Sequence, residues 1–214
     1  MGHQCDALKT GTSMTRLTAI LAGIATLMLL GVTFAVTLGR GDPQSCFTST
    51  TAGADIGGPF TLVDRQGRTV TDRDVITTPS LIYFGYSFCP DVCPIDNARN
   101  AQAADLLADA GYDVTPIFIT IDPARDTPEV MGNYVRNFSD TMIGLTGTEA
   151  QVKAAADAYR VFYSRADDDP DYYLMNHSVF TYLVMPQTGF ATFFRREDTP
   201  EQIAGQTACA IDAS

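Results

Sequence analysis

Two kinds of apolar pattern divide the chain. From Leu17 to Leu38 the run LTAILAGIATLMLLGVTFAVTL extends for 22 residues without a charge, about 33 Å of helix at 1.5 Å rise per residue, enough to cross a bilayer. Its threonine hydroxyls can bond back to helix carbonyls, and small residues are common in spanning helices. A cleaved signal core would run about 7 to 15 apolar residues and end at a small-residue site. This run is longer and no such site follows it, so the pattern predicts a retained transmembrane anchor over 17–38. Lys9 and Arg16 precede it, and the positive-inside rule then leaves residues 1–16 as a cytoplasmic tail and places everything after Arg40 outside the cytoplasm, in a bacterium the periplasm. Residues 39–58, rich in Ser, Thr, Gly and Asp, read as a linker.

From residue 59 to 214 the pattern is that of a folded domain. PFTLVDRQGRTVT alternates around Gln66-Gly67 and predicts a hairpin. SLIYF and VTPIFITID are continuous apolar runs of β-formers, as in strands buried on both faces. Asn97 to Ala110 has helical spacing and stops at Gly111. Thr127-Pro128-Glu129 starts a helix to Phe138 with a cap, a proline and a first-turn acid. Ile143 to Leu145 is a short strand, and Thr148 to Tyr159 a helix capped by Thr148 or Gly147. SVFTYLVMPQTGFATFFR makes two strands joined by a Pro-Gln-Thr-Gly turn, and Pro200 to Ala208 a last helix. Strands alternating with helices, then a terminal hairpin and helix, indicate an α/β sheet of mixed direction flanked by helices.

Composition narrows the partners. The 214 residues carry 25 acidic and 14 basic side chains, a net charge of −11, with 45 % hydrophobic residues, enough for an ordinary core. Of the basic residues, Lys9, Arg16 and Arg40 lie at or before position 40, where Asp6 is the one acid. The remainder is strongly acidic and repels phosphate backbones and anionic lipid surfaces, which argues against nucleic acid as a partner.

The orientation matters for the cysteines, because thiols outside the cytoplasm meet an oxidising environment. Cys5 falls on the cytoplasmic side, leaving Cys46, Cys89, Cys93 and Cys209. Cys46 and Cys209 flank the folded region, and a bridge between them would tie its ends together. Cys89-Pro-Asp-Val-Cys93 lies between a buried strand and a helix N-terminus, where free N–H groups and the helix dipole favour thiolates. Two adjacent thiolates suit a local disulfide, redox exchange, or a soft metal such as copper or zinc. The spacer has three residues, not the two of a thioredoxin-type motif. His3 is on the other side of the anchor, so His177, just before a strand, is the outer domain's one imidazole. With the two cysteines it makes a three-ligand set compatible with Cu(I), to which Cu(II) could add an oxygen or water.

The motifs FTLVDRQGRTVTDRDV, LIYFGYSFCPDVCP, FITIDPARDTPEVMGNYVRNF, GLTGT and NHSVFTYLVMPQTG follow in an order and spacing that resembles the Sco/SenC family, membrane-anchored thioredoxin-fold proteins that assemble copper sites in respiratory oxidases. The resemblance covers roughly Asp55 to Ala208. It implies a thioredoxin-like fold, Cys89, Cys93 and His177 as copper ligands, and delivery of Cu(I) or Cu(II) to the copper-site subunit of cytochrome c oxidase. The alternative it carries is reduction of that subunit's cysteines by Cys89 and Cys93 as a redox pair. Other copper chaperones and thiol reductants are then further partners. Ser87 stands where the family more often has threonine, Ile95-Asp96-Asn97 replaces small hydroxyl residues, and Cys46 and Cys209 lie outside the common pattern, where a free thiol would compete for copper.

Other residues are given plainer roles. Asp122 and Asp126 in TIDPARD cap a helix or fix a loop, Asp91 faces solvent, and Met175 and Met185 pack. Asp167-Asp168-Asp169 is a solvated turn. Tyr83, Phe84, Tyr86 and Phe88 pack the strand and keep water from the thiolates.

Overall fold

In a computed structural model of the chain, residues 11–38, 46, 56–166, 169 and 172–214 are described, without the side chains of 11–17 and 32–38. The chain divides into two units, one ending at Asp42 and the other running from Pro43 to Ser214. The first contains helix α1 (Gly11–Leu38), which starts six residues before the predicted anchor. Its side chains are described over 18–31, about 21 Å of helix, and among the described residues no helix is long and apolar enough to cross a membrane. The spanning segment expected over 17–38 is therefore not seen as such. Cys5, His3, Lys9, Arg40, Asp167, Asp168 and most of the 39–58 linker lie outside the described residues.

The second unit is built on a five-stranded sheet in the order β5-β4-β3-β8-β9. Strands β3 (Ser80–Gly85), β4 (Thr115–Thr120) and β5 (Ile143–Leu145) run parallel, while β8 (Thr181–Met185) is antiparallel to β3, and β9 (Gly189–Phe194) to β8. The direction is mixed, as the alternation of elements predicts. SLIYFG is buried at every position of β3, which is the reason a continuous apolar run was needed there. One core cluster holds Leu81, Leu183, Phe194, Leu107 and Ile203 beside α3 (Val92–Asp109) and α6 (Pro200–Asp212). A larger one holds Ile82, Phe84, Phe118, Met131 and Val152 beside α4 (Pro128–Val135) and α5 (Glu149–Ala158). Together they cover both faces of the sheet.

Local signals explain the ends of these elements. Thr127, Thr148 and Thr199 cap α4, α5 and α6, each accepting a backbone N–H three residues on. Gly111, just past α3, sits at φ +89°, a conformation a side chain would disfavour. The predicted hairpin is β1 (Thr61–Val63) with β2 (Thr69–Thr71), its turn held by Asp64, whose Oδ1 accepts from the N–H groups of Gln66 and Arg68 at 2.9 Å each. A short helix α2 (Asp72–Val75) follows.

Two differences from expectation bear on the site. Helix α3 begins at Val92, not Asn97, so Cys93 is in its first turn. And His177 does not merely precede a strand: it ends β7 (Met175–His177), which pairs with β6 (Tyr163–Arg165) in a two-stranded sheet separate from the main one.

Candidate metal centre

The cysteine loop connects the C-terminal end of β3 to the N-terminus of α3. Asp91 at the N-cap makes no side-chain cap bond; instead the Cys93 N–H donates to the Cys89 sulfur at 3.4 Å. A first-turn amide and the positive end of the helix thus face Cys89. Cys89 is half-buried and Cys93 buried, and both are free of disulfides. Behind them Gly85 leaves room for sulfur: a Cβ there would stand 2.8 Å from Cys93 Sγ and 3.0 Å from atoms of the Phe118 and Tyr83 rings.

His177 enters from the β6–β7 hairpin. Its Nε2 lies 3.4 Å from Cys93 Sγ. Its Nδ1 lies 2.8 Å from the carbonyl oxygen of Ser178; that oxygen can only accept, so Nδ1 carries a proton and Nε2 is the ring nitrogen turned toward the sulfurs. The rings of Tyr83 and Tyr86 hold the imidazole edge-on, with centroids 6.2 and 6.0 Å away. One ligand atom from each of Cys89, Cys93 and His177 can be chosen with all three within 4.8 Å of one another.

The two thiols are unequal. Cys89 is drawn down to about 3, chiefly because it accepts the S–H of Cys93; burial opposes this, while His177 and the N–H groups of Asp91 and Cys93 reinforce it. The same sulfur–sulfur bond, with burial, pushes Cys93 upward. The metal-free pair therefore holds one thiolate and one thiol, sharing a proton. Two sulfurs and a neutral imidazole nitrogen are a donor set for a soft or borderline ion, and fit copper by ligand type.

The neighbouring residues are structural. Asp126 is buried and accepts from the Ser87 N–H at 3.0 Å, from the Ser87 hydroxyl, and from Thr120 Oγ1 at 2.6 Å, which ties the cysteine loop to the end of β4. Its carboxyl is pushed up by burial. Asp122 is buried and accepts from Tyr173 Oη at 2.7 Å. Neither belongs to the cysteine–histidine group, so the loop-fixing roles expected of them match the geometry. Met185 is in the core, and Met175 is half-buried, its N–H donating to Tyr86 Oη at 3.2 Å. Tyr83, Phe84 and Tyr86 are buried as expected, but Phe88 is 55 % exposed; it lies in the turn after β3, beyond the alternation that would bury it.

Sequence reasoning missed Asp96, Arg125 and Tyr173. Asp96, 1 % exposed, accepts from Tyr83 Oη at 3.0 Å behind Cys93. Arg125 and Tyr173 pack against the loops that carry the ligands. The one available signal was their closeness in sequence to Asp126 and His177. Cys46 and Cys209 are joined to each other, with Cα atoms 5.7 Å apart, and offer no competing thiol.

Comparison with known proteins agrees with this arrangement. The SCO1/SenC family model matches residues 48–212. Protein SenC of Rhodobacter capsulatus is 50 % identical over 199 residues, covering 91 % of this chain and 90 % of its own. The crystal structure of Arabidopsis thaliana ScoI with copper bound superposes with a TM-score of 0.71 at 34 % identity, covering 74 % of this chain and 99 % of that one. Bradyrhizobium japonicum ScoI with copper bound gives 0.65 at 36 % identity, covering 72 % and 98 %.

Proposed function

The chain belongs to the SCO1/SenC family, and from that membership we propose that it is a copper chaperone for the dinuclear copper site of cytochrome c oxidase. Cys89 Sγ, Cys93 Sγ and His177 Nε2 take up one copper ion as cargo and give it up by ligand exchange. The observation that carries this reading is the convergence of those three ligand atoms within 4.8 Å. Copper bound to two relatives of the same fold supports the choice of metal.

Transfer needs a protein surface around the ligands. Outside α1, the exposed large apolar side chains among the described residues are Phe88, Ile95, Phe162, Tyr172, Leu174, Phe180 and Val130. All but Val130 lie on the two segments that carry the ligands, which supports a protein acceptor such as the oxidase's copper-site subunit. We propose that the uncharged run 17–38 within α1 anchors the chain in the membrane, with residues 1–16 cytoplasmic, 39–58 a linker, and 59–214 the copper-binding domain in the periplasm. Resistance of the chain to alkaline extraction from membranes tests the anchor.

The inequality of the thiols favours a second reading, thiol–disulfide exchange. The Cys89 thiolate attacks a partner disulfide, forming a mixed disulfide and expelling one partner thiolate. Cys93 then loses its proton and attacks the Cys89 sulfur, releasing the second partner thiolate and leaving a Cys89–Cys93 disulfide. The partner is reduced by two electrons and this pair is oxidised by two.

The full chain, reduced and titrated with Cu(I) and Cu(II), separates the readings when compared with Cys89→Ser, Cys93→Ser and His177→Ala. Chaperone function requires each variant to bind copper more weakly, and uptake unchanged in all three would overturn it. Exchange requires both cysteines but leaves His177→Ala active.

A further inference from the structure

The two strands of the His177 hairpin form no hydrogen bonds with the main sheet. Beyond the hairpin, β8 fixes the chain again at Thr181. Before His177, the fastening is made by side chains: Tyr86 Oη accepts from the Met175 N–H at 3.2 Å, and a larger group gathers around Tyr173. Tyr173 Oη donates to Asp122 Oδ1 at 2.7 Å, and Asp122 Oδ2 accepts from Arg125 Nε at 2.5 Å. The Arg125 guanidinium carbon lies 3.6 Å from the centre of the Tyr173 ring and that of Arg165 lies 3.8 Å from it. Two guanidinium groups cannot share one face at those distances, so the ring is held between them. Arg125 also reaches the Phe88 and Tyr86 rings, at 4.8 and 5.7 Å, and its two terminal nitrogens are buried without a hydrogen-bond partner. Its cation is therefore held by one carboxylate and three aromatic rings rather than by a set of acceptors. Two of those rings, Phe88 and Tyr86, belong to the cysteine loop and its approach; the third is four residues before His177.

We propose that Tyr173, with Arg125 and Asp122, is a latch that positions His177, giving the site a closed form with three ligands and an open form with the two sulfurs alone. This rests on the copper reading above and adds a control to it. Two thiolates suffice for Cu(I), whereas Cu(II) draws on the imidazole, so the latch sets which oxidation state is held well. With Tyr173 released, the thiol pair is still intact for Cu(I) or for disulfide exchange. The latch residues touch neither sulfur nor metal; they act through the placement of the hairpin.

The test uses the full reduced chain and Tyr173→Ala, with Tyr173→Phe as the conservative variant that retains both stacked faces. Tyr173→Ala is expected to lower Cu(II) affinity by about 10- to 100-fold, the usual effect of losing a group that orients a ligand, and to alter the Cu(II) visible and electron paramagnetic spectra. Tyr173→Phe should recover most of the affinity, and Cu(I) binding should change little. Without metal, backbone amides of residues 163–166 and 173–177 should exchange faster with solvent in Tyr173→Ala. In a His177→Ala background, Tyr173→Ala should cause no further loss of Cu(II). Unchanged Cu(II) affinity, an equal fall for Cu(I), or an equal loss in the His177→Ala background would each overturn the latch. If His177→Ala weakens Cu(II) but Tyr173→Ala does not, the latch alone fails; if His177→Ala itself has no effect, the copper reading fails and the latch with it. Circular dichroism checks folding, and Arg125→Gln is judged by the same criteria should Tyr173→Ala not fold.

Discussion

Cys93 Sγ and His177 Nε2 stand 3.4 Å apart across 84 residues of chain. The helix start that carries the sulfur and the hairpin that carries the nitrogen meet at the C-terminal end of β3, where loops of an α/β sheet converge. The contact is directional, since the other ring nitrogen is committed to the Ser178 carbonyl.

Alkylation should distinguish the two thiols of the metal-free protein. An ordinary thiol, with a pKa of about 8.5, loses roughly tenfold in thiolate for each pH unit below that value. Cys89, drawn down to about 3, should react with iodoacetamide at a nearly constant rate from pH 8 to pH 5, with the rate falling only as pH approaches its lowered value. Cys93, shifted upward, should stay unlabelled over that range. Peptide mass mapping of the labelled sites reads this directly.

Gly85→Ala should damage the site from behind. The added methyl would lie 2.8 Å from Cys93 Sγ, with the Phe118 and Tyr83 rings at 3.0 Å leaving it no second course. Overpacking of this kind costs about 1–3 kcal/mol. Urea denaturation should show that loss, and copper titration should show a weaker site.

Asp126→Ala should loosen the cysteine loop. It removes the acceptor for the Ser87 N–H and for the Thr120 hydroxyl, and leaving such buried donors unsatisfied costs about 1–3 kcal/mol. Thermal melting is expected to detect the destabilisation. Faster alkylation of Cys93 in the variant would mark opening at the site itself.

Replacing Cys46 and Cys209 together by Ser, so that no free thiol is left to compete for copper, should lower stability with little change in copper uptake. The bridge to Cys209 closes 163 residues of chain, and losing a native disulfide of this type costs about 2–5 kcal/mol. Denaturant midpoints with and without the double substitution measure the first effect, and Cu(I) titration the second.

Much of this was legible in the residues. SLIYF and VTPIFITID could only be buried strands, and the Thr-capped helices announce their own first turns. The early start of α3 was hidden by Pro94. A proline so close to the cysteines reads as an interruption, yet at the third helical position its missing N–H is one the helix has no use for. The β6–β7 hairpin was hidden because its strands are three residues each, too short for an alternation to be counted. Cys89, Cys93 and His177 could be named from residue type and resemblance. The stack of Arg165, Tyr173 and Arg125 could not, because cation–ring contacts between distant loops leave no spacing to read.

The single proton held between Cys89 and Cys93 has a consequence for metal exchange. A site holding one thiolate and one thiol at neutral pH must expel one proton, not two, when both sulfurs bind an ion. Copper affinity should then rise by about tenfold per pH unit across the neutral range. Capture and acidification are thereby coupled, and a fall in local pH would bias the site toward release.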